Sequence, residues 1–234
     1  MIVLAIESST PQSSVALGSE RGVMAEIGVA WGRSHSEVLV PAIGHLLEWA
    51  GVERSQIGGI AVGVGPGLFT GLRVGITTAR TLAQVLGTPI VAIPSLDVLA
   101  YAVRHARQRI GAVQDAKRGE VFHAFYRAVP GGLARETPYA VTPPDRLAAD
   151  LEATPEDTLL VGSGALLYRR QLSEADLRIE FASPRDAFPQ AAALLELAVP
   201  RFQREEYVRP DQVVPLYLRK SDAEINWTQR ARSA

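Results

Sequence analysis

A chain of 234 residues with 47% hydrophobic composition can bury one large core or two small ones, and a formal net charge of −1 gives no global attraction to nucleic acid. No cysteine is present, which excludes disulfides, thiolate nucleophiles and zinc–thiolate sites together. No apolar run approaches the ~20 residues of a membrane span and the first residues lack a basic-then-apolar leader, so a cytoplasmic protein is expected.

Met1–Ile6 reads as a strand, Glu7 to Ser14 as a polar, hydroxyl-rich turn, and Val15–Leu17 as a returning strand, together a hairpin. Ser34 and Glu37 have capping-box spacing ahead of Leu39, Ala42, Ile43, Leu46, Leu47 and Ala50, an amphipathic helix that ends at Gly51. Pro41 lies inside it, removes one backbone hydrogen bond and predicts a kink. Ile60–Val64 reads as a buried strand, Gly65-Pro66-Gly67 as a turn, and Thr70 as the cap of a second helix. In that helix small residues recur at Gly71, Gly75, Ala79 and Ala83, all on one face. A glycine inside a helix costs roughly 1 kcal/mol relative to alanine, so an aligned pair points to close packing against another helix. Ser95 is expected to cap a third helix through Val103, and a domain boundary is expected near residues 101–109.

The second half repeats the plan. Ile110–Gln114, a turn at Asp115–Glu120 and Val121–Tyr126 form another hairpin, and Leu159–Gly164 echoes Ile60–Gly65 as an apolar strand running into Gly-x-Gly. This order argues for an internal duplication. A helix is expected from Ala191 to Phe202, followed by a polar, frayed tail after Arg219.

Gly65-x-Gly67 between strand and helix invites a phosphate-loop reading, but no lysine follows it and the dinucleotide fingerprint's third glycine is replaced by Thr70. Those two motifs are set aside, while an anion site at the amides around Gly65 and Gly67 stays open. The four histidines, His35, His45, His105 and His123, never share one helix face, so no metal site is expected. The serines at 8, 9, 13 and 14 sit in no Gly-x-Ser-x-Gly elbow. Glu7 at a strand end is the best lone carboxylate, with Asp115 in the corresponding place of the second half, so the pair is expected to flank a cleft. Ser8 and Arg118 are further candidates for a nucleotide or anion contact.

The motifs Leu4–Thr10 with Ser14–Leu17, Arg33-x-His35-Ser36-Glu37, Gly65-Pro66-Gly67-x-Phe69-Thr70-Gly71-Leu72-Arg73, Asp115-Ala116-x-Arg118-Gly119-Glu120 and Pro215-x-Tyr217-Leu218-Arg219 span nearly the whole chain. Together they resemble the TsaB (YeaZ) family. The resemblance implies an α/β, actin/hexokinase-like (ASKHA) fold of two similar subdomains, each a mixed sheet flanked by helices. The expected division is residues 1–103, carrying the docking helices, then 104–219 including the C-terminal helix, then a flexible tail at 220–234.

The resemblance also implies a non-catalytic scaffold for the transfer of threonylcarbamoyl to N6 of adenosine 37 in tRNAs that read ANN codons. The paralogous transferase TsaD is the heterodimer partner, the ATPase TsaE is also required, tRNA is met indirectly, and self-pairing is the alternative in isolation. No cofactor is expected on this chain alone; ATP or ADP enters with the complex. The family's Asp-Thr-Ser-Thr start is here Glu7-Ser8-Ser9-Thr10, which argues against actin-type Mg²⁺–ATP binding. The docking surface is expected to comprise His35, Glu37, Leu39, Ile43 and Leu46 of the first helix with Gly71, Leu72, Arg73, Gly75 and Ala79 of the second. A leucine at position 75 would then abolish docking and leave the fold intact. A small-molecule kinase of the same superfamily is the competing reading.

Overall fold

The computed structural model describes residues 1–30 and 34–219. Arg33 of the first docking motif and the tail expected to fray at 220–234 lie outside the described residues.

The first half contains β1 (Ile2–Glu7), β2 (Ser13–Ser19), β3 (Gly22–Val29), α1 (His35–Ala50), β4 (Ile57–Gly63), α2 (Phe69–Leu86), β5 (Ile90–Ile93) and α3 (Ser95–Ala102). The second contains β6 (Arg109–Lys117), β7 (Glu120–Val129), β8 (Gly132–Arg135), β9 (Ala140–Thr142), α4 (Pro144–Ala153), β10 (Thr158–Val161), α5 (Ser163–Leu167), α6 (Arg169–Ser173), β11 (Ile179–Phe181) and α7 (Ala191–Gln203).

The first sheet runs β3-β2-β1-β4-β5 and the second β8-β7-β6-β10-β11, with β9 added beside β7. The strand orders coincide, and so do the directions: β1 is antiparallel to β2 and parallel to β4, as β6 is antiparallel to β7 and parallel to β10. Each half is therefore the mixed sheet that the family resemblance implies, built on the repeated hairpin.

Alternation along β1 sends Leu4 and Ile6 to one face and Val3 and Ala5 to the other, and both faces are buried. Leu4, Ile6, Ile60 and Val62 pack beneath Leu39, Ile43, Leu46, Leu72 and Ile76 of α1 and α2. Val3, Ala5, Ala16 and Ala61 pack against Leu194, Leu195, Ala198 and Phe202 of α7. Near-continuous apolar strands are what a sheet covered on both faces requires. In the second sheet, Ile110, Ala112 and Tyr126 meet Leu96 and Leu99 of α3, while Val113, Val121 and Leu160 meet Leu147, Leu151 and Leu172 of α4 and α6.

Three local expectations change. The C-terminal helix, assigned to the 104–219 unit, covers the first sheet instead; its N-terminus is held there by the Ser14 hydroxyl and the Glu26 carboxylate, which accept the N–H groups of Ala191 and Ala192 at 3.0 and 2.9 Å. Thr70 lies within the first turn of α2, whose N-cap is Leu68. Ser95 is the first residue of α3, behind Pro94 at the N-cap, because its hydroxyl is engaged elsewhere. The capping box at α1 is present, with Glu37 accepting the Ser34 N–H at 3.2 Å, and α1 continues through Pro41 as one helix.

Candidate functional site

β1 ends on Glu7 beside the Gly65-Pro66-Gly67 loop that follows β4. The Glu7 carboxylate accepts the Ser9 N–H at 2.7 Å and the Ser95 hydroxyl at 2.9 Å, and Ser95 Oγ accepts the Gly65 N–H at 3.2 Å. Ser95 N–H donates back to the Gly65 carbonyl at 2.7 Å. Glu7 is fully buried, and that burial raises its carboxyl above the ordinary carboxylate value despite the hydrogen bonds. The first strand, the glycine loop and the start of α3 are thus tied through one carboxylate.

This corrects the expected nucleotide contacts in the first half. Glu7, Ser8 and Gly65 are buried and bonded inside the chain, Ser8 donating its hydroxyl to the Gly71 carbonyl at 2.9 Å. The Leu68 N–H at the head of α2 is spent on the Ser9 carbonyl at 2.7 Å, and Gly67 backs onto Ser9.

The small-residue stripe of α2 faces the chain's own β1–β2 loop. A β-carbon on Gly71 would lie 2.1 Å from the Ser8 carbonyl oxygen, and one on Gly75 would lie 2.1 Å from Ser8 Oγ. Gly71, Leu72, Gly75 and Ala79, with Leu39, Ile43 and Leu46 of α1, are buried within the monomer and present nothing to a partner. Of the expected docking set, His35, Glu37 and Arg73 reach the surface. His35 is half-buried with Nδ1 2.7 Å from Ser13 Oγ, and burial lowers its pKa below the ordinary imidazole value.

The outward faces of the same two helices carry a different set. Val40 and Trp49 of α1 are 65% and 72% exposed at opposite edges of an outward arc that also carries Pro41, Gly44 and His45, and Trp49 stacks on His45 at 5.5 Å. On α2, Phe69, Arg73, Thr77 and Arg80 face outward at helical spacing. The Phe69 ring stacks on Tyr217 at 5.2 Å with the Arg73 guanidinium 3.9 Å from its centroid, and Arg73 Nε donates to Tyr217 Oη at 3.3 Å. The signal available in the sequence was Val40 and Trp49 standing outside the buried 39/43/46 row.

Between the halves lies a cleft of about 220 Å³, bordered by Thr10, Leu68, Gln114, Asp115, Lys117 and Leu167. Asp115 lines it and Glu7 does not, so the two carboxylates do not flank one opening. Asp115 accepts the Lys117 N–H and Nζ at 2.8 and 2.7 Å. Arg118 and Gly119 form the hairpin tip, both at positive φ.

The profile of tRNA N6-adenosine threonylcarbamoyltransferase, TsaD, matches residues 16–227. The tRNA threonylcarbamoyladenosine biosynthesis protein TsaB of Bacillus subtilis is 31% identical over 98% of this chain and 99% of its own length. The chain belongs to the TsaB (YeaZ) family. The solved structure of YeaZ from Pseudomonas aeruginosa agrees at a TM-score of 0.78 and 32% identity, covering 93% of this chain and 99% of that one. A ROK hexokinase from Thermus thermophilus, at TM-score 0.53 and 15% identity over 86% of this chain and all of its own, shares the fold alone.

The basic residues concentrate in the second half, yet Arg104, Arg109, Arg127, Arg146, Arg178 and Arg219 each lie within 3.2 Å of a carboxylate oxygen. Those six charges are thereby locally balanced. Among the described residues no group of three or more His, Asp or Glu side chains could hold a metal ion, and no helix is long and apolar enough to cross a membrane.

Proposed function

We propose that this chain is the TsaB-type subunit of the machinery that makes N6-threonylcarbamoyladenosine in tRNA, and that it acts as a scaffold without chemistry of its own. The observation that carries the reading is the outward face of α1 and α2, where Val40, Trp49 and Phe69 stand exposed on rigid helices. Aromatic and aliphatic anchors with an arginine beside them are the composition of an interface centre, and a TsaD-like paralogue with corresponding helices is the partner that fits it. The carboxylate a kinase would use at the end of β1 is buried and spent on Ser9 and Ser95, which disfavours the phosphotransferase reading. Metal chemistry, ATP turnover and tRNA binding then fall to TsaD, the TsaE ATPase and the assembled complex.

Light scattering of this chain mixed with the TsaD paralogue of the same organism, with and without ATP, tests the reading. A stable heterodimer is expected, weakened by Trp49→Glu. Two species that stay separate, together with phosphoryl transfer by this chain alone, would return the kinase reading.

A further inference from the structure

We infer that the cleft between the two halves binds a small zwitterion of amino-acid size. The inference does not rest on the docking reading, since the cleft shares no residue with the outward faces of α1 and α2.

Gln114, on β6, is 1% exposed and borders the cleft. Its Nε2 faces two carbonyl oxygens, Ser9 at 3.4 Å and Pro66 at 3.5 Å, which orients the amide and turns Oε1 away from them. That Oε1 is buried and has no hydrogen-bond partner. A buried acceptor left unpaired beside a cleft calls for a donor, and a small shift of the Gln114 amide toward the opening would let one from outside the chain supply it.

The remaining border supplies both signs of charge and an apolar wall. Asp115 and Lys117 stand as an ion pair at 2.7 Å, the Lys117 side chain being about half exposed, and the pair can open to take an ammonium and a carboxylate. The hydroxyls of Thr10 and Ser163 accept the N–H groups of Gln12 and Asp115 at 3.3 and 3.2 Å and keep a proton each to donate. Leu68, Leu167 and Phe188 complete the wall. At about 220 Å³ the space equals roughly seven waters, smaller than the clefts that hold drug-sized ligands, which favours a compact zwitterion over a nucleoside triphosphate.

The test uses the full chain, isotopically labelled, with each of the twenty common amino acids and ATP as separate probes. One or a few amino acids are expected to shift the Gln114 side-chain amide and the Lys117 and Ser163 backbone signals saturably. Lys117→Gln should weaken the effect about tenfold. Leu167→Trp, at an exposed position where a larger side chain can be carried without unfolding, should fill the cleft and abolish it. No shift with any amino acid, shifts with ATP alone, or binding indifferent to both variants would overturn the inference, the first leaving ordered water as the partner of Gln114.

Discussion

Gly75 approaches Ser8 so closely that a β-carbon at position 75 would sit 2.1 Å from the Ser8 hydroxyl oxygen. The same hydroxyl donates to the Gly71 carbonyl one turn earlier, so α2 lies flat on the β1–β2 loop with no room for any side chain at either position. Gly75→Ala is expected to destabilise the monomer by about 1–3 kcal/mol through overpacking, and Gly75→Leu by more. Urea unfolding of the isolated chain reads this directly. A leucine variant with native stability and lost partner binding would restore the docking role first expected of this stripe.

Trp49→Glu and Val40→Asp replace exposed apolar groups that make no core contact. Each should shift monomer stability by less than about 0.5 kcal/mol. Loss of a hot-spot anchor should nonetheless weaken the heterodimer by about 2 kcal/mol or more. Calorimetric titration against the paralogue beside a thermal melt of the free chain separates the two effects, and unchanged affinity in both variants would move the interface elsewhere.

Glu7→Ala would strand the Ser9 N–H and the Ser95 hydroxyl in the interior at a cost of about 1–3 kcal/mol for each unpaired group. Glu7→Gln keeps an acceptor there. Burial holds the Glu7 pKa above its ordinary 4.5, so between those values the native state binds more protons than the unfolded chain. The contribution of Glu7 is therefore present in full below the unfolded value and declines as pH rises through the raised native value. Stability curves of the Gln variant should lack that decline; parallel curves would count against it.

His123 has the opposite slope. It is buried on β7 with Nε2 3.0 Å from Thr142 Oγ1 and Nδ1 unpartnered, and burial depresses its pKa below 6.5. Here the unfolded chain binds the extra proton, so stability present above 6.5 is lost as pH falls toward and through the depressed native value. His123→Gln should flatten that acid loss in pH-dependent denaturation, and an unchanged acid limb would mean that His35, which burial shifts the same way, or another group dominates.

Much of this molecule is legible from residue order. Hairpin, helix and Gly-x-Gly strand recur in both halves because each must build the same mixed sheet, and the apolar periodicities of α1 and α2 mark their buried faces correctly. Periodicity identifies a face without saying what covers it. The stripe at Gly71 and Gly75 has the same spacing whether it meets a neighbouring chain or the Ser8 backbone, and the apolar side of α7 does not state which sheet it will close.

Chemistry at strand ends divides in the same way. That Glu7 and Asp115 lie at or near the ends of paired strands follows from local pattern, which short-range backbone geometry dictates. Whether a carboxylate faces solvent depends on groups distant in the chain: Ser95, 88 residues away, and the glycine loop enclose Glu7, while Lys117 keeps Asp115 at the cleft. Burial is a property of the packed whole, and only the tertiary fold could assign one acid to structure and the other to an accessible surface.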